Sequence, residues 1–162
     1  MTAAIIVGIG QLAAGDDGVG LAVARELAAR GFAVRESADA SLLLELLPAG
    51  HRVVLIDAVA GGGPPGTVMQ LDLAALGTGP TPLSSHGIGV AEAIVLARTL
   101  YGDAAVARLA IVGIAIERPA AHAVGLSPAV AAAIGPAAAL AAELAAIDVQ
   151  RLEENARGEH ET

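Results

Sequence analysis

Asp17, Asp57 and His86 are the side chains whose types and settings could do chemistry together. Asp17 lies in GIGQLAAGDDGVG (8–20), just past an apolar run and a glycine-rich turn. Asp57 closes the apolar run VVLID, and His86 stands in SSHG immediately ahead of a helical pattern. Together they make an O, O, N donor set, which suits a borderline divalent metal such as nickel, zinc, iron or manganese. Such a set leaves a coordination position open for substrate or water, as catalytic sites do. Each residue also has a plainer reading. Asp16 can be an N-cap, and Asp17 a first-turn acid that complements the helix dipole. Asp57 can be a hydrogen-bonded carboxylate capping a neighbouring loop, and His86 a helix N-terminal residue bonded to a carbonyl.

The same opening stretch carries a rival signal. Gly8, Gly10 and Ala13 have the G-x-G-x-x-A spacing of a dinucleotide-binding turn, and Glu36 is placed where a ribose-binding acid would follow. That reading needs a helix N-terminus free to meet a pyrophosphate. Asp16 and Asp17 lie at that terminus, where carboxylates repel phosphate and water is partly excluded. Composition removes other chemistries. All 9 basic residues are arginine, so P-loop, Schiff-base and lysine-base mechanisms are out. Without cysteine there are no thiolate nucleophiles, Cys-ligated zinc sites or disulfides, which is compatible with the cytoplasm. A formal net charge of −8 disfavours nucleic acid and anionic membranes as partners. Ser84 and Ser85 lack a nucleophile elbow. Glu117 and Arg118 are expected to form an exposed ion pair, and His51, His122 and His160 to be surface or loop residues.

These candidates need a scaffold that collects them. AAIIVGI (3–9), RVVLIDAV (52–59) and RLAIVGIAI (108–116) are continuous apolar runs, the pattern of strands buried on both faces. FAVRE (32–36) is a short strand candidate, and TVMQLDL (67–73) alternates as a strand with one side less buried. Helical patterns fall at 18–30, 41–47, 87–100 and from Ser127 to about 147. Ser41 and Ser127 are the expected caps, and Pro128 suits a first helical position. The Ala-rich run 129–142 is read as too short to span a bilayer. The predicted architecture is a single α/β domain over 1–147 with a polar tail, 148–162. It is a three-layer sandwich: a twisted, mostly parallel sheet of about five strands with helices on both faces. In such sheets ligands bind at the carboxyl ends of the strands, which is where Asp17, Asp57 and His86 fall.

GIGQLAAGDDGVG, VVLIDAVAGGGPPGTV, SSHGIGVAEAI and LAIVGIAIERPAAHAVGLSPAV, in that order, resemble the hydrogenase maturation endopeptidases over roughly residues 3–146. The resemblance implies a protease that removes a short C-terminal peptide from the large-subunit precursor of a [NiFe] hydrogenase after nickel insertion. It implies a metal site at Asp17, Asp57 and His86, with nickel belonging to the precursor. It also makes that precursor the partner. The chain departs from the family pattern at Gln11, where asparagine is usual. It departs again at ESADAS (36–41), where Asp39 is displaced by about one position from the family's D-G-G aspartate. These departures point to a divergent substrate subgroup or an inactive relative. Two alternatives stay open: a non-catalytic nickel- or precursor-binding maturation factor, and a dinucleotide-binding module.

Overall fold

The computed structural model describes residues 3–73, 89–117 and 125–147, the side chains of 12–14 excepted. The apolar runs become strands because both faces of each are covered. β1 is Ile5–Ile9, β2 Val34–Ser37, β3 Val53–Ala60, β4 Val68–Leu71 and β5 Leu109–Ile116. The helices are α1 Val19–Ala29, α2 Leu43–Leu46, α3 Val90–Tyr101, α4 Asp103–Val106, α5 Pro128–Ala132 and α6 Ile134–Ala146. The sheet order is β2-β1-β3-β5-β4, parallel except for β4, which runs antiparallel against β5. The link from β3 to β4, residues 61–67, carries no helix and no room for a crossover, so β4 must run back against its neighbour. The loop passes over the end of β5, where the Gly66 amide donates to the Ala115 carbonyl at 2.8 Å.

Alternate strand residues feed two cores, as the period of a strand demands. Ile6, Val54, Ile56, Val112 and Ile114 pack with α1, α5 and α6, while Val7, Val53, Leu55 and Ile111 pack with α2, α3 and α4. The sandwich is thus three-layered, as predicted, with an aliphatic interior.

Several local expectations change. The 41–47 helix begins as a 3-10 turn, Ala40–Leu42, capped by Asp39 rather than Ser41. The Asp39 carboxylate accepts from the Ser41 amide at 2.9 Å and from its hydroxyl at 2.5 Å. The short helix α4 was not foreseen; it tucks Ala105 and Val106 into the core. The last helix is broken at Ala133. Pro128–Ala146 spans 19 residues and is, by length and composition, apolar enough to cross a membrane, longer than the 129–142 run suggested. Here its Ala137, Ala138, Ala141 and Leu144 are buried against the sheet and α1.

Arg52, only 8% exposed, closes the far end of that helix. Its guanidinium donates to the Leu144 carbonyl at 2.8 Å and to the Ala145 carbonyl at 3.2 Å, satisfying groups the helix cannot. Arg52→Ala is expected to destabilise the fold by about 2–3 kcal/mol. The readout is a lower urea midpoint at unchanged slope. A midpoint equal to that of the wild type would show that α6 does not depend on this cap.

Candidate functional site

β1 is followed by α1 on one face of the sheet, whereas β2 returns to β3 through α2 on the other. The helical layers lie on opposite faces of the sheet, and the carboxyl ends of the adjacent strands β1 and β3 are where sheets of this kind bind ligands in a crevice. Asp57 lies in the second half of β3, opposite Gly113 of β5. By strand alternation it shares the face of Leu55 and Ile111, the face covered by α3. Asp57 is half-buried, and its carboxylate accepts from the Ala58 amide at 2.9 Å.

Asp17 reaches the same crevice from the 3-10 segment Leu12–Gly18, which links β1 to α1. The segment lies tightly on the strand end. A Cβ at Gly10 would run into the Asp17 carbonyl oxygen, so only glycine lets the two backbones meet. Close packing continues into α1, where a Cβ at Gly20 would stand 2.5 Å from the Ile56 carbonyl oxygen. The opening glycines thus seat a loop and a helix against β1 and β3. Glu36 is engaged elsewhere, in an exposed ion pair with Arg25 at 2.6 Å.

Burial raises the pKa of Asp57 from 3.8 to about 7; the neighbouring charge of Asp17 adds to the rise, and the Ala58 amide opposes it. Two carboxyl groups that disfavour each other's ionisation are a functional-site signature, because a cation arriving between them relieves the repulsion. Among the described residues no group of three or more His, Cys, Asp or Glu side chains comes together as a metal cluster. The donor pair is nonetheless of the right kind: oxygen ligands, one half-neutral near pH 7, and short of a full shell. His86 lies outside the described residues, as do Ser84, Ser85, Arg118, His122, His160 and the tail 148–162. The helix that follows His86 in sequence, α3, covers the face shared by Asp57.

The plain readings of the acidic pair do not hold. α1 has Gly18 as its N-cap and no acid in its first turn, so Asp16 is not its N-cap and Asp17 is not a first-turn residue. The Asp16 carboxylate instead accepts from the Ser127 amide at 2.6 Å and from the Ser127 hydroxyl at 2.8 Å. Ser127, expected to cap α5 with its own side chain, makes no such bond and gives its hydroxyl to Asp16. This link between the end of the 3-10 segment and the start of α5 went unforeseen. The signal for it was weak: a Ser-Pro helix start whose serine amide needs an acceptor from outside the helix.

The model of the family described as hydrogenase maturation protease matches residues 38–144, which include Asp57 and His86. The structure is similar to the [NiFe] hydrogenase maturation protease HybD from Thermococcus kodakarensis. The two are 27% identical, with 89% of this chain and 99% of that one covered and a TM-score of 0.69. The HycI maturation protease of Thermococcus kodakarensis KOD1 shares the fold at 22% identity, covering 89% of this chain and 92% of that one, with a TM-score of 0.67. The Escherichia coli maturating endopeptidase HybD does so at 24% identity, 86% and 89% coverage, and a TM-score of 0.62. No curated protein matches the chain.

Proposed function

Because the chain belongs to the hydrogenase maturation proteases, a family of peptidases, we propose that it removes the C-terminal peptide of a [NiFe] hydrogenase large-subunit precursor once nickel is in place. The observation that carries this reading is the Asp17–Asp57 pair at the sheet's switch point, each carboxyl disfavouring the charge of the other. In this reading Asp17, Asp57 and His86 meet the nickel of the immature subunit. The metal is part of the substrate, and no resident ion is required. An O, O, N set completes the coordination of a borderline divalent ion and holds the attached C-terminal segment in the crevice. The scissile carbonyl then lies where a carboxylate or the substrate's own metal can orient a water. The partner is the precursor itself, approached through the glycine-rich loops, and the reaction belongs to the cytoplasm.

The test is incubation of the protein with nickel-loaded and nickel-free precursor, read by intact mass. Loss of the C-terminal peptide only from the loaded form is expected. Equal cleavage of both forms would end the metal-directed part of the reading. Binding of the loaded precursor without cleavage would make the chain a non-catalytic maturation factor.

A further inference from the structure

We infer that Asp16 is a positioning residue: by gripping Ser127 it holds the segment that carries Asp17 in register with Asp57. The inference rests on the role given to Asp17 and Asp57 above. Asp16 and Asp17 are consecutive in the 3-10 segment, where neighbouring side chains diverge by about a third of a turn. One therefore points to α5 when the other faces β3. Asp16 does the first: both of its oxygens are taken by Ser127, one from the amide and one from the hydroxyl. Two bonds fix a carboxylate in orientation as well as distance, and bonds to a charged acceptor are the stronger kind.

The anchor is itself firm. Ser127 opens α5, whose Val130 is fully buried in the core with Ile114 and Ile116. The residues joined are 111 apart in sequence, so the tie links distant segments on the α1 and α5 face of the sheet rather than closing a local turn. On its other side the segment rests on Gly10, which admits the Asp17 carbonyl at close approach. The segment is thus held at Asp16 by the Ser127 bonds and packed closely at Asp17 against Gly10.

The experiment compares Asp16→Ala, Asp16→Asn and Ser127→Thr in the full chain. The readouts are kcat and KM for nickel-loaded precursor and amide hydrogen exchange across residues 12–18. Asp16→Ala is expected to lower kcat by about 10²-fold with KM within about threefold, because a small displacement of a reacting group costs that much. Amides in the segment should exchange about tenfold faster. Asp16→Asn keeps an acceptor for the Ser127 amide and can donate to its hydroxyl, so it should recover kcat to within about fivefold of the wild type. Ser127→Thr, which keeps the amide and the hydroxyl, should do the same. Asp16→Asn as inactive as Asp16→Ala would mean the charge acts directly, and would overturn the proposal. So would unchanged exchange in Asp16→Ala, or faster exchange with an unchanged kcat. A wild-type chain that cleaves no precursor would end the functional reading alone, while the exchange measurement still decides the tie.

Discussion

Asp57→Asn is expected to make the chain more stable above neutral pH and inactive toward precursor at the same time. The two effects have one origin. Burial, assisted by the charge of Asp17, raises the Asp57 pKa from 3.8 to about 7. Below about pH 4 the folded and unfolded chains both hold the proton. Between about pH 4 and 7 only the folded chain does, so the folded state binds more protons and stability falls as pH rises. Above about 7 the folded chain carries the full cost of a charge in the crevice. Asn is neutral at every pH and keeps an oxygen for the Ala58 amide, so it avoids that cost. The gain at about pH 8 should reach a few kcal/mol, at most about 4, and vanish near pH 4. Urea unfolding of both proteins at the two pH values checks it. Wild type and variant of equal stability at about pH 8 would show that Asp57 is not held out of water. Cleavage should fall by about 10³-fold, since the group that gains from meeting a cation is the one removed. A variant that gains stability and keeps its activity would take Asp57 out of the site.

Asp17→Asn is expected to abolish cleavage to a similar degree, about 10²–10³-fold, and to move the titration of Asp57 downward. The direction follows from the order of causes: burial is the larger and remains, while the charge of Asp17 is the smaller and is removed. The Asp57 pKa should therefore drop but stay above its ordinary value. Carbon-13 spectra of the aspartate carboxyls against pH would read this directly, without precursor or metal. An unmoved Asp57 would show that the carboxyls do not sense each other. An Asp57 that moved while cleavage persisted would show that their proximity serves something other than the reaction.

What could be read of the candidate site in the sequence, the placing of its two acids, follows from architecture. An acid at the end of an apolar strand run and another just past a glycine turn are carried to one rim by any parallel sheet of this kind. Asp57 and Asp17 could be paired on those grounds, and the structure brings them within electrostatic reach. The destinations of short polar side chains were not legible. Asp16 is not the N-cap of the helix beside it and Ser41 yields its cap to Asp39, while Ser127 does stand at the N-cap of α5 but gives its hydroxyl to Asp16. Asp16 takes Ser127, and Asp39, which stands beside the family's expected aspartate, caps the turn that leads into α2. A carboxylate chooses among every donor that folding brings within about 3 Å, and sequence neighbours are only some of them.

The chain's own order of residues determined its layers. Long apolar runs between glycine-rich loops read as strands covered on both faces, and the alternating run at 67–73 as a strand with one side less buried; the structure puts it at the sheet edge. Periodicity is a local property, so it survives without coordinates. Only the tertiary structure decided that β4 runs antiparallel, that the last helix breaks at Ala133, and which carboxylate faces β3 and which holds α5. Those outcomes depend on distances between segments far apart along the chain, and close packing fixes them only once all the layers are in place.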